Sequence, residues 1–328
     1  MDNSIEYFGS ARTALKVALE KINVEEGSYF LLPDTICDVL THPLIQLNMN
    51  IIFYPLNDQL SPDWKVLDVL ARSKNCFALV MVHYFGQPQN IESFLSFCSL
   101  HELILIEDNA HGSGGSYNDK LLGTFGHIGI SSPRKFLNIP CGGELHGNIQ
   151  SSDTVIIELA EFPIFRFKIV AKMLIFQLKH IKNFIIHFRN KKNDWNDPYL
   201  YKESVQPDYY IDAYSRLKII STNWLRIGKK RRSNWIAWQD FVRSKDLQPV
   251  FQEIHEESCP WAFPVYAADI NERNLWLEWG AKNNLALFTW PSLPENIVNI
   301  NGDALRRWKT MICFPLEFNP KELGCFHN

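Results

Sequence analysis

The chain has 328 residues, of which 46% are hydrophobic and 21% charged, with a formal net charge of -3. That balance is ordinary for a folded globular protein; it excludes a chain dominated by disorder and supplies no global positive field for nucleic acid, so no nucleic-acid partner is expected. Seven scattered cysteines (Cys37, Cys76, Cys98, Cys141, Cys259, Cys313 and Cys325), none in C-x-x-C spacing, predict neither a disulfide framework nor a zinc site, and the expectation is a reducing cytoplasm with no metal. The start, "MDNSIEYFGSARTAL", lacks a basic segment leading into an apolar one, so no secretory leader is expected, and no uninterrupted apolar run is long enough to span a membrane.

Residues 10–22 place Ala11, Leu15, Ala18, Leu19 and Ile22 at helical spacing, with Gly9 and Ser10 as entry and cap. Backbone N–H groups at Arg12 and Thr13 would be free at such a helix start, which suits either an ordinary capped surface helix or a phosphate site. Tyr29 to Leu32 and Ile51 to Tyr54 read as strands flanking a helix over residues 36–48. Trp64 to Ala71 predicts a helix, Phe77 to Phe85 a strand, and Ile91, Phe94, Leu95 and Cys98 recur at i, i+3, i+4 and i+7 of another helix. Leu103 to Ile106 is then a short buried strand ending in Glu107 and Asp108. This alternation predicts an α/β fold, with a mostly parallel central sheet and helices on both faces.

Beyond it, residues 162–192 mix bulky apolar side chains with lysines and arginines. They suit a helical pair packed on the core or on a partner subunit, or an interfacial helix in peripheral contact with a membrane. Asn190 to Pro198 reads as a loop, and Tyr214 to Val242 as a base-rich helical region. "AFPVYA", Asn271 to Lys282, "LALFTW" and "MICFPL" predict strand, helix, strand and strand. They indicate a smaller C-terminal α/β domain, with the division at residues 1–213 and 214–328.

Three features can meet above one sheet edge: the helix start at Arg12 and Thr13, the acidic strand end at Asp108, and Lys135 in a later polar loop. A pyridoxal phosphate site requires those three. A lysine amine bonds the cofactor aldehyde, a carboxylate keeps the pyridine nitrogen protonated, and donors hold the phosphate.

The segments "SARTALKVAL", "VHYFGQPQNIESF", "LILIEDNAHGSGGSYNDKLLGTFGHIGISS" and "RKFLNIPCGG" resemble, in order and approximate spacing, the DegT/DnrJ/EryC1/StrS sugar aminotransferases over roughly residues 8–147. "WPSLPE" and "FPLEF" add a weaker similarity further on. The resemblance implies the type I pyridoxal-phosphate-transferase fold. It makes Lys135 the Schiff-base lysine, Asp108 the partner of the pyridine nitrogen and His111 the group reaching the ring hydroxyl. It also assigns Arg12, Thr13 and Ser131 or Ser132 to the phosphate. It further implies transfer of an amino group from glutamate to a nucleotide-linked keto sugar, in surface-polysaccharide or related amino-sugar synthesis, by a cytoplasmic homodimer.

The chain departs from the family pattern at four points. The loop "SSPRK" is short, Arg12 stands at a small-hydroxyl position, Cys141 replaces an acidic residue, and Cys37 stands where a ring-stacking aromatic is usual. Tyr84 and Phe85 are the substitutes available for that aromatic, and the remaining tryptophans read as packing residues. Two other functions fit the same residues: a sugar dehydratase on this fold, and a non-catalytic member that binds a partner enzyme or a membrane surface.

Overall fold

The computed structural model describes residues 5–147, 159–161, 195–199 and 202–323. The basic, aromatic segment at 162–192 lies outside the described residues, as does the start of the expected loop at 190–198.

The amino-terminal part alternates strand and helix: β1 (Ile5–Phe8), α1 (Ala11–Lys21), β2 (Tyr29–Pro33), α2 (Thr41–Gln46), β3 (Asn50–Tyr54), α3 (Trp64–Ser73), β4 (Cys76–Val82), α4 (Ile91–His101) and β5 (Ile104–Asn109). A short hairpin of β6 (Ser116–Tyr117) and β7 (Lys120–Leu121) precedes β8 (Ile128–Ser131) and β9 (Gly143–His146). The main sheet has seven strands in the order β1-β9-β8-β5-β4-β2-β3. The pairs joining β3, β2, β4, β5 and β8 are parallel, and β9 pairs antiparallel with both β8 and β1. The expected mostly parallel sheet is therefore present, closed at one edge by an antiparallel pair that apolar periodicity did not signal.

Helix starts follow their caps. Ser10 Oγ accepts the Thr13 N–H, Asp63 Oδ1 accepts from Lys65 and Val66, and Asn90 Oδ1 accepts from Ser93. Each satisfies N–H groups that a helix cannot pair internally. The centre of the sheet is buried on both faces: Phe30, Leu31, Leu32, Ala78, Leu79, Met81, Leu105 and Ile106 are almost wholly inaccessible. Such strands read as unbroken apolar runs because helices cover both sides.

The second half builds α5 (Ala213–Ile220), α6 (Trp224–Val242), β10 (Gln248–Pro249), β11 (Ala262–Tyr266), α7 (Ile270–Lys282), α8 (Glu295–Ile300), α9 (Asp303–Thr310) and β12 (Met311–Pro315). Its sheet is antiparallel, in the order β10-β11-β12. The helical region expected from Tyr214 to Val242 is two helices, broken where Asn223 caps α6 through the Arg226 N–H. "LALFTW" is not a strand. Only Phe288 pairs, with Cys313, after which the chain carries Trp290 into the wall of the main cavity.

One hydrophobic cluster is drawn wholly from residues 235–316, including Trp235, Trp238, Phe263 and Phe314. The larger cluster joins the main sheet to Ala262, Trp290, Trp308 and Met311. Arg307 fastens this contact. Fully buried on α9, it donates to both oxygens of Asp34 at 2.7 and 2.9 Å, to Thr35 Oγ1 at 3.0 Å and to the Leu56 carbonyl at 2.8 Å. A guanidinium so satisfied can be buried without the penalty of an unpaired charge.

Candidate active site

The carboxyl ends of β4, β5 and β8 open on a cavity of about 630 Å³, measured with its open mouth included. Its wall includes Arg12, Cys37, Asp108, His111, Ser132, Arg134, Lys135 and Trp290. Parallel sheets bind ligands at this edge, where adjacent crossovers diverge. Of the residues expected from sequence, Lys135, Asp108, His111, Arg12 and Ser132 come together here; Thr13 and Ser131 do not line the cavity.

The two consecutive acids of β5 separate because successive side chains of a strand point to opposite faces. Glu107 turns away from the cavity. Its oxygens accept from the backbone N–H groups of Gly123 (2.6 Å), Phe125 (2.7 Å) and Gly126 (2.8 Å), and it pairs with His83 Nε2 at 2.8 Å. Burial would raise its pKa, but the His83 contact and these N–H donors outweigh burial and hold the carboxyl below its usual range. Asp108 faces the cavity. Its Oδ1 accepts the Ala110 N–H at 2.9 Å, and its Oδ2 has no hydrogen-bond partner among the described residues. Burial raises its pKa, against the Ala110 N–H and the charges of Lys135 and His83. A cationic ring nitrogen at that free oxygen would compensate the burial and keep the carboxylate charged.

Lys135 ends a short 3-10 turn, Pro133–Lys135, entered through a proline directly after β8. The shortened loop still delivers its side chain to the cavity. Nζ lies 4.7 Å from the centre of the Trp261 ring. Burial lowers its pKa to about 8, opposed by the Cys37 and Asp108 charges and aided by Arg134. His111 is sandwiched by aromatics, stacked on Trp261 at 4.5 Å and meeting Trp290 edge-on at 5.5 Å. Burial, with the Lys135 charge, holds its pKa well below the ordinary value, so the imidazole is neutral. The Phe85 N–H points at Nδ1 at 3.4 Å, which assigns the ring proton to Nε2.

Two residues expected at the phosphate are engaged with other partners. The Thr13 N–H is not free, because Ser10 Oγ caps it, and Thr13 Oγ1 donates to Asp208 Oδ1 at 2.9 Å. Ser131 is buried against the neighbouring strand, with its hydroxyl 3.0 Å from His146 Nε2 and 3.4 Å from Asn109 Nδ2. Strand alternation again decides: Ser131 points into the sheet packing, and Ser132 at the cavity. Arg12 stays on the wall, half-buried, and Nη1 donates to Glu203 Oε2 at 3.0 Å.

Tyr84 and Phe85 do not line the cavity. The Tyr84 hydroxyl donates to the Thr35 carbonyl, and Phe85 stacks on Trp261. Trp290 lies on the cavity wall, and its buried indole N–H has no partner among the described residues. Neither Trp290, on the cavity wall, nor Trp261, under Lys135 Nζ, was expected there from the sequence. The only signal was "WPSLPE", since a tryptophan in an apolar stretch is indistinguishable from packing until the fold turns it toward a cavity.

The cavity suits a ring carrying a cationic nitrogen and an electrophilic substituent. The free oxygen of Asp108, the depressed lysine and the unpartnered Trp290 N–H are the groups that such a ring would satisfy. Among the described residues no His, Cys, Asp and Glu cluster could hold a metal ion, and no helix is long and apolar enough to cross a membrane.

Residues 7–156 match the model of the DegT/DnrJ/EryC1/StrS aminotransferase family. Among curated relatives, a GDP-perosamine synthase of Vibrio cholerae is 29% identical over 120 residues, covering 36% of this chain and 32% of that protein. A GDP-4-keto-6-deoxy-D-mannose 3-dehydratase of Escherichia coli is 26% identical over 129 residues, covering 38% and 33%. The matched stretch thus spans about a third of the length of each of these relatives. In three dimensions the likeness extends over nearly all of this chain. PseC of Helicobacter pylori, an aminotransferase of pseudoaminic acid biosynthesis, superposes with a TM-score of 0.70 at 16% identity, over 98% of this chain and 84% of that one. The sugar aminotransferase Spr1654 of Streptococcus pneumoniae gives 0.68 at 14% identity, over 98% and 84%. These superpositions establish the fold, and the family match over residues 7–156 takes in most of the segments that form the cavity wall.

Proposed function

We propose that this chain is a pyridoxal-phosphate-dependent aminotransferase that moves an amino group from glutamate to a keto sugar carried on a nucleotide. The observation that carries this reading is the placing of Lys135, its pKa lowered to about 8, in one cavity with Asp108 and a neutral His111. The names of the relatives and structural neighbours, which include perosamine synthase and sugar aminotransferases, support the substrate class. When bound, the cofactor supplies an aldehyde for amine exchange and a ring that takes up electrons from the substrate carbon.

The chain's own residues divide the remaining work. Asp108 would hold the proton on the ring nitrogen through its free oxygen. His111 Nε2–H would donate to the ring hydroxyl, with Trp261 fixing the plane of the imidazole. Ser132 and Arg12 would take the phosphate. Lys135 would hold the aldehyde end and, once released, accept and return a proton at Nζ. An amine with a pKa near 8 is unprotonated in about one molecule in ten at neutral pH, against roughly one in three thousand for an ordinary lysine.

Assembly as a homodimer in a reducing cytoplasm is part of the proposal. It is supported by the apolar side chains that α5 leaves exposed, Leu217 and Ile220 among them, and by the free thiols of all six described cysteines. Borohydride reduction after incubation with the cofactor, followed by peptide mass analysis, is expected to place a single adduct on Lys135 that is lost in Lys135→Ala. Protein that traps nothing on Lys135 refutes the reading. Incubation with glutamate and a nucleotide-linked keto sugar separates transamination from dehydration, because only the former puts nitrogen into the product.

A further inference from the structure

A second cavity, about 630 Å³ on the same measure, adjoins the first. Ser10, Arg12 and Arg134 line both, so two guanidinium groups stand at the junction. Their electrostatic states differ. Arg12 is 14% exposed and donates at 3.0 Å to Glu203, which is 45% exposed. Arg134 is exposed and makes no ion pair or hydrogen bond among the described residues. Glu203 belongs to the stretch at 202–210, whose Tyr209 carbonyl accepts the Gly9 N–H at 2.8 Å and whose Asp208 binds Thr13 and Lys16. The same stretch therefore lays a carboxylate on Arg12 and helps line the second cavity.

We propose that Arg12 and Arg134 form a phosphate-binding junction between the two cavities, which Glu203 occupies until a phosphate group displaces it. The inference rests on the reading above in taking the ligands to be the phosphorylated cofactor and a nucleotide-linked sugar. Three physical points carry it. A half-exposed ion pair of one carboxylate with one guanidinium is weak, because water screens it and a long side chain must be held still. A phosphate presents more acceptor oxygens and a higher charge, and a guanidinium receives it through two parallel N–H bonds. A second guanidinium at the same junction, with no partner of its own, is then available to the phosphate but not to Glu203 as placed. Arg134 directly precedes Lys135 in the chain, so the junction lies beside the lysine.

The test compares wild type, Glu203→Gln and Arg134→Gln by titration calorimetry. The probes are matched pairs: pyridoxal 5′-phosphate with pyridoxal, and GDP and UDP with guanosine and uridine. Both substituted side chains are exposed, so each variant should keep its fold, which a thermal melt checks. The expected result is that Glu203→Gln binds the phosphorylated member of at least one pair about two- to fivefold more tightly. Arg134→Gln should bind that member about tenfold more weakly, while the unphosphorylated members bind alike in all three proteins. A response confined to pyridoxal 5′-phosphate assigns the junction to the cofactor's phosphate; one confined to GDP or UDP assigns it to the nucleotide's. Unchanged affinity in Glu203→Gln, or equal shifts with and without phosphate, overturns the proposal. If no adduct forms on Lys135 while GDP or UDP responds, the aminotransferase reading falls and the junction stands; if the adduct forms and no pair responds, only the junction falls.

Discussion

Lys135 is held in the folded protein at a cost, and replacing it exposes that cost. Its pKa of about 8 lies below the 10.5 of a free lysine, chiefly through burial. By linkage, that difference corresponds to roughly 3 kcal/mol of lost stability at pH values below about 8, where the amine is charged both folded and unfolded. Between about pH 8 and 10.5 the unfolded chain binds more protons at this site than the folded one, so stability rises with pH across that window. Lys135→Met keeps an unbranched side chain, one atom shorter, and removes the charge. Without cofactor, it should be more stable than wild type by about 3 kcal/mol at pH 7, and the advantage should shrink toward pH 10. Urea unfolding at the two pH values measures both quantities. A variant that is less stable than wild type at pH 7, or an advantage that does not change with pH, would refute the account of this lysine as a desolvated amine.

Two further predictions test the scaffold beneath the site. Glu107→Gln leaves His83 and the Gly123, Phe125 and Gly126 N–H groups facing a neutral amide, and should cost about 3–5 kcal/mol in urea unfolding at neutral pH. Because the folded pKa of Glu107 is depressed, the wild-type stabilisation is present above about pH 4.5 and lost as pH falls through the lower folded value, so the difference between the two proteins should narrow in acid. Gly143→Ala would drive a methyl into the Ser10 carbonyl carbon and the Ala11 nitrogen, where β9 passes beneath the start of α1. It should shift that helix start and weaken pyridoxal 5′-phosphate binding at least tenfold while the far-ultraviolet circular dichroism stays that of the wild type; unchanged affinity would show that the helix start takes no part in holding the phosphate.

The local order of the amino-terminal half was legible from residue patterns alone. Unbroken apolar runs bounded by turns marked β2, β3, β4 and β5, and the spacing of Ile91, Phe94 and Cys98 marked α4. Both signals survive because a buried strand and an amphipathic helix impose their periods on nearby residues. The antiparallel edge was not legible, since β1 and β9 are each four residues long and lie far apart in the chain. For the same reason "LALFTW" read as a strand although its pairing ends at Phe288.

What the sequence by itself determined is the identity and order of the chemical groups: a lysine after a glycine- and serine-bearing strand, an acidic strand end and an imidazole three residues on. These are local, and the family resemblance rests on them. What only the tertiary structure decided is which way each group points and what shares its space. Strand alternation sent Glu107 and Ser131 into packing and left Asp108 and Ser132 on the cavity wall. Folding of the carboxyl-terminal half supplied Trp261 and Trp290 from more than a hundred residues away. The Ser10 cap took the Thr13 N–H, and Glu203, again distant in sequence, settled on Arg12. Burial and the pKa values that follow from it are properties of neighbours in space, so the lysine was readable in the sequence, and its readiness to lose a proton near neutral pH was not.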